Sequence, residues 1–323
     1  MAALTTLPHE SVATYLTDGG LETTLVFLEG FDLPCFAAFD LLKDEKGYLA
    51  LKGYYERYLN IAKNFGFGFV LESPTWRANP DWIERIGYPN LATTEVNRKA
   101  ARLMFDLKEE FGEPSTPIVV SGCVGTRGDG YQAESGMSPK EARDYHSEQI
   151  RAFGEVQVDM ISAITMTNVE EASGIAAAAA DARLPSVISF TLETDGKLPS
   201  GASLKEAIET VDSEVETPPI YYMINCAHPS HFADELILGR GQPWIERIRG
   251  VRANASRKSH AELDDSTELD RGEIDDFGSE HMWISDLLPQ LKVFGGCCGT
   301  DEEHILEIVS VLRGNRRIPV TRN

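Results

Sequence analysis

Short apolar runs alternate with longer segments of helical periodicity along nearly the whole chain. Runs at 14–17, 67–72, 117–121, 159–165, 186–192, 219–224, 250–253 and 291–294 are too brief for buried helices and predict eight β-strands. Between them, apolar residues recur every three to four positions over 47–65, 94–111, 139–157, 169–183, 203–211 and 302–312, which predicts helices. Thr93 and Thr94 supply a cap region for the second of these. The alanine-rich stretch at 175–182 reads as part of a helix. Alternating strand and helix implies a parallel sheet and an α/β fold. Eight such units in 323 residues fit a single-domain (β/α)8 TIM barrel over residues 1–323, with a doubly wound open sheet as the runner-up. Residues 257–278, dense in Asp and Glu, read as a charged, solvated insertion after the seventh strand.

Composition narrows the function classes. The formal net charge of -21 argues against nucleic acid as a partner, because phosphate contacts need an excess of Lys and Arg. Its simplest meaning is solubility. No apolar stretch reaches the length of a membrane span, and residues 1–17 lack the basic start and long apolar run of a signal peptide. Five cysteines form no disulfide framework, so a reducing, cytoplasmic setting is expected. Nothing in the sequence sets the oligomeric state.

Barrels of this kind place their chemistry at the C-terminal ends of the strands. Polar motifs fall there: Asp18-Gly19-Gly20 after the first strand, Ser73-Pro74-Thr75-Trp76-Arg77 after the second, Thr165-Met166-Thr167-Asn168 after the fourth. Asn225-Cys226 follows the sixth and Cys297-Cys298 the eighth. Adjacent side chains on extended backbone point to opposite faces, so Cys297 and Cys298 can meet one ion only from a turn, which the flanking glycines permit. Three thiols with a fourth position open is the donor set of catalytic zinc, and the spacing is not that of a zinc finger. Cys35 and Cys123 read as packing residues, since free cysteine behaves as a small buried hydrophobe.

With these residues in place, the chain resembles the homocysteine S-methyltransferase family over nearly its whole length. The resemblance rests on Asp18-Gly19-Gly20-Leu21-Glu22-Thr23-Thr24-Leu25, Ile224-Asn225-Cys226 and Gly295-Gly296-Cys297-Cys298-Gly299-Thr300. It implies a zinc-dependent barrel with Cys226, Cys297 and Cys298 as ligands of Zn2+. It also implies transfer of a methyl group from a small sulfonium or quaternary ammonium donor to a small thiol, homocysteine or a relative, within methionine metabolism. Asp18, Gly19, Gly20, Thr75, Trp76 and Asn225 are the candidate substrate-binding residues. A non-catalytic barrel that binds metal or senses redox state is the alternative.

The sequence also departs from the family pattern. Ile164 stands where many members carry a Glu expected to hold the amino group of homocysteine, and an apolar residue cannot pair with an ammonium. The stretches Ser73-Pro74-Thr75-Trp76-Arg77 and Ser121-Gly122-Cys123-Val124-Gly125 are altered too. The expectation is therefore a preference for a different or less polar thiol, unless Asp18 alone holds the amino group. Trp76 reads equally as core packing or as one wall of a cage for a methyl-bearing cation. Phe36 reads as packing, Arg77 as a carboxylate fork or a partner of an acidic loop, and Asn225 as an orienting partner for a ligand cysteine. His228 and His231 read as surface or helix-cap residues rather than metal ligands, and Glu193 as part of a polar loop near the site.

Overall fold

Each apolar run supplies side chains to both faces of one closed sheet, and the period of two along each strand sorts them. A computed structural model of the chain describes residues 6–89, 92–132 and 136–314. Its strands are β1 (Tyr15–Leu16), β2 (Gly68–Glu72), β3 (Ile118–Val124), β4 (Met160–Met166), β5 (Ser186–Phe190), β6 (Tyr221–Asn225), β7 (Ile248–Ala253) and β8 (Val293–Gly296). They run in parallel in sequence order, and β1 closes the barrel on β8 with Tyr15 beside Val293 and Leu16 beside Phe294. Tyr15, Val70, Val119, Met160, Val187, Tyr221, Met223 and Val293 fill the interior. Their neighbours Leu16, Leu71, Val120, Ile161, Ile188, Tyr222 and Phe294 pack outward against the helices. That alternation is the filled interior of a (β/α)8 barrel, not a pore.

The helices after successive strands are α1 (Glu45–Phe65), α2 (Ala92–Phe111), α3 (Pro139–Val156), α4 (Val169–Asp181), α5 (Leu204–Glu214), α6 (Pro229–Gly239), α7 (Ile274–Leu287) and α8 (Glu302–Leu312). Local chemistry starts them. Ser138 and Ser203 head full capping boxes with Glu141 and Glu206, and Asp44, Asn168 and Asp301 cap α1, α4 and α8.

Two sequence expectations need correction. Residues 257–278 are not a plain solvated insertion: Ser259 caps a turn of helix at His260–Asp264, and α7 starts inside the segment with Phe277 and Gly278 buried. Cys35 and Phe36 do not pack. Both are exposed, Phe36 at 43%, in a tight turn where each has left-handed backbone, φ 54° and 56°. Cys226 and Cys297, which the sequence leaves unbridged, bring their sulfurs together at the barrel mouth, with Cα atoms 5.5 Å apart. No helix among the described residues is long and apolar enough to cross a membrane.

Candidate metal centre

The residue following β6 and the two following β8 converge at the C-terminal mouth. The sulfurs of Cys226, Cys297 and Cys298 all lie within 4.8 Å of one another. The Cα atoms of Cys226 and Cys297 are 5.5 Å apart, and Cys298 is a free thiol. The adjacent pair meets the third cysteine because residues 297–300 form a turn: the Thr300 backbone N–H and hydroxyl both donate to the Cys297 carbonyl, at 3.1 and 2.7 Å. Gly299 takes φ +81° in this turn, where a Cβ would strike the Asp270 carbonyl.

Two non-glycine residues beside the sulfurs also adopt left-handed backbone, Thr165 at φ 64° and Cys226 at φ 52°. For a β-branched threonine this conformation is costly and must be held by its surroundings. Asn225 holds it. Its Oδ1 accepts from the Thr165 N–H at 3.0 Å and from Ser189 Oγ at 2.6 Å, while its Nδ2 donates to Thr165 Oγ1 at 2.8 Å. The Cys226 carbonyl accepts from His260 Nε2 at 2.6 Å, Asn254 Nδ2 at 3.1 Å and Thr191 Oγ1 at 3.4 Å. Each sulfur has its own polar neighbour: Thr165 Oγ1 at 3.7 Å from Cys226, Asn225 Nδ2 at 3.9 Å from Cys297, and the Tyr131 hydroxyl at 3.2 Å from Cys298. Tyr131 in turn stacks on His260, ring centroids 4.3 Å apart. Burial pushes the Cys298 thiol up to about 11.

Below the cysteines a charged cluster crosses the barrel. Arg252 donates through Nη2 to Asp18 Oδ1 at 2.7 Å, through Nη1 to Glu72 Oε2, and through Nε to the Gly296 carbonyl at 3.2 Å. The Tyr54 hydroxyl donates to the second Asp18 oxygen at 3.1 Å. Burial raises the Asp18 and Glu72 carboxyls, with Arg252 working against it in both. Burial also works against the charge of Arg252, and Glu72 and Asp18 outweigh it. Glu22 follows β1 on the turn Leu21–Thr23, and burial raises its carboxyl to about 7.

The structure places the sequence-named residues as follows. Asp18 lies in the charged cluster. Gly19 and Gly20 let the first turn meet the last one, since a Cβ on Gly20 would lie 2.6 Å from the Cys297 carbonyl. Thr75 is buried, its hydroxyl donating to the Cys123 carbonyl at 2.7 Å. Trp76 is half-buried beside the mouth, its indole N–H donating to the Ile164 carbonyl at 3.1 Å, with Gly125 and Gly130 against the ring. Arg77 sits between Trp76 and Trp82, 4.0 and 3.9 Å from their centroids, and donates to the Gly128 carbonyl at 2.8 Å. His228 caps α6, as its sequence context suggests, and lies 3.1 Å from Glu280. Glu193 lies 3.2 Å from His260 Nδ1. Cys123 is buried, as expected. Arg252, Tyr131, Asn254 and His260 escaped the sequence reading, and Glu22 and Thr165 entered it only within motifs, with no role of their own. One signal was available: Arg252 interrupts an apolar strand at a position level with Asn225 and Gly295.

Known proteins of the same shape and sequence pattern complete the picture. The sequence profile of the homocysteine S-methyltransferase family matches residues 15–312. Homocysteine S-methyltransferase 1 of Brassica oleracea var. italica is 25% identical over 241 residues, covering 69% of this chain and 71% of that protein. The metallated form of the Escherichia coli homocysteine methyltransferase MmuM superposes with a TM-score of 0.69 at 17% identity, over 94% of this chain and 96% of that one. Its oxidized form gives 0.69 at 18% identity, over 96% of this chain and 100% of that one. At such identities the structural likeness speaks for the barrel alone, whereas the profile spans nearly all of the sequence. The chain therefore belongs to the homocysteine S-methyltransferase family and is a thiol S-methyltransferase.

Proposed function

We propose that Cys226, Cys297 and Cys298, once reduced, hold one zinc ion. The enzyme then moves a methyl group from a small sulfonium or quaternary ammonium donor to a small thiol, homocysteine or a relative. The observation that carries this reading is the convergence of three sulfurs from two strand ends within 4.8 Å at the barrel mouth. The donor set fits the ion: three sulfurs, with no fourth cysteine or histidine in the cluster among the described residues, as in catalytic rather than structural zinc sites. Zinc bound there would supply a Lewis-acidic position at which an incoming thiol ionises at neutral pH.

The chain's own residues do the rest. Thr165 and Asn225 donate toward the ligand sulfurs, and Tyr131 presents its hydroxyl to the third. Such hydrogen bonds fix the sulfurs and spread their negative charge. The half-buried face of Trp76, fixed through its N–H, suits a cationic methyl donor. Gly19 and Gly20 keep the β1 turn close to the cysteine loop, and Thr75 and Asp18 support the walls from inside. In the transfer a bond forms between the acceptor sulfur and the methyl carbon as the bond from that carbon to the donor's sulfur or nitrogen breaks. The thiol proton is released and the donor departs neutral. The need for reduced thiols supports a cytoplasmic setting. Family membership does not favour a non-catalytic barrel.

The test combines metal analysis with turnover. Protein purified under reducing conditions should carry about one zinc per chain. Cys226→Ala, Cys297→Ala and Cys298→Ala should each lose most of it, together with methyl transfer from S-methylmethionine or betaine to a panel of thiols. Full zinc occupancy in all three variants would sink the assignment.

A further inference from the structure

The charged cluster beneath the cysteines bears on which thiol is accepted. Arg252 is level with Asn225 on β6 and Gly295 on β8, one residue short of Cys226 and two short of Cys297. Its guanidinium donates to the carbonyl of Gly296, the residue before Cys297. Asp18, Glu72 and Arg252 are 4%, 5% and 7% exposed. Both oxygens of Asp18 are occupied, one by Arg252 and the other by the Tyr54 hydroxyl. An ammonium arriving at Asp18 would have to displace a guanidinium that has nowhere else to go, leaving a buried cation with half its pairing. The inward position near the end of β4 gives no help either: Ile164 is 6% exposed and packs in the apolar interior.

We infer that Arg252 sets acceptor selectivity: by neutralising Asp18 it closes that carboxylate to a substrate's ammonium, so the thiol accepted carries none. This rests on the zinc-dependent thiol reading above. Arg252 is a positioning residue that acts through Asp18. Groups that bury charge without offering a partner reject the ligand that needs one.

The discriminating pair is homocysteine and 4-mercaptobutanoate, which differ only in the amino group. With the reduced, zinc-loaded full chain, kcat/KM should favour 4-mercaptobutanoate by about tenfold or more. Arg252→Met, which uncovers Asp18, should move the ratio toward homocysteine by a similar factor, and Arg252→Lys, which keeps the charge, should leave it in place. Asp18→Asn should lower both thiols by the same factor. A double-mutant cycle of Asp18→Asn and Arg252→Met in thermal unfolding should reveal coupling, and simple additivity would overturn the inference without any turnover measurement. Wild-type preference for homocysteine overturns it too while leaving the zinc reading intact. Loss of that preference in Glu22→Gln would then locate the ammonium at Glu22. Transfer to neither thiol from any donor defeats the underlying reading and this inference with it.

Discussion

At the scale of single residues, side chains in this barrel are held by partners that also fix their protonation. His281 on α7 is an instance outside the site. Its ring is buried, 2.8 Å from the Phe277 carbonyl through Nδ1, and burial lowers its pKa to about 4. In the unfolded chain it titrates near 6.5. Between pH 6.5 and 4 the unfolded state therefore binds the extra proton and the folded state does not. Stability contributed by the neutral ring is present above 6.5 and is lost as pH falls through that window. The loss approaches about 3 kcal/mol at its lower end. His281→Asn keeps an N–H for Phe277 and cannot titrate. Urea unfolding at pH 7 and pH 4 should show the wild type losing more stability than the variant. Equal losses would mean that the ring is already charged or hydrated in the folded protein.

At the scale of elements, the site is built where the first turn meets the last. The Gly20 N–H donates to the Thr300 carbonyl at 3.0 Å, and the Gly299 N–H donates to Thr23 Oγ1 at 3.3 Å. Gly20→Ala would put a methyl against the Cys297 carbonyl, where neither backbone can yield without moving that cysteine. Zinc affinity in a chelator competition should fall about 10–100-fold, the usual effect of disturbing what orients a ligand. Undiminished affinity would show that the cysteine loop tolerates the shift. Much of this arrangement is legible in the sequence. The strand runs carry the barrel, and the impossibility of aiming adjacent cysteines from one straight strand demands the turn at 297–300. α6 and α7 are less legible. The first turn of α7 holds Asp275 and Asp276, which suit a helix N-terminus but read in sequence as one more piece of an acidic surface segment. The Arg252 cluster is illegible for another reason. Its partners Asp18 and Glu72 lie 234 and 180 residues away, and only barrel closure brings β1, β2 and β7 around one guanidinium.

At the scale of the molecule, the cysteines follow β6 and β8 on either side of β7, so a metal held by them would brace the rim of a closed sheet. A net charge of -21 acts in the same direction, since a dication reduces the self-repulsion of an acidic chain. Anything bound by the folded state alone stabilises it by mass action, about 2.7 kcal/mol at a free concentration one hundred times Kd. For a barrel of this size that corresponds to a rise in Tm of roughly 5 °C. Reduced, metal-free protein titrated with zinc should show this rise, and a chelator should reverse it. The Cys298→Ala variant, which retains Cys226 and Cys297, should show little of it. If Cys226 and Cys297 are oxidised to a disulfide, which their Cα separation of 5.5 Å permits, zinc should have no effect until a reductant is added, because two of the three sulfurs are then bonded to each other. A rise of the same size in Cys298→Ala, or in the oxidised protein, would mean that the metal braces some other part of the chain.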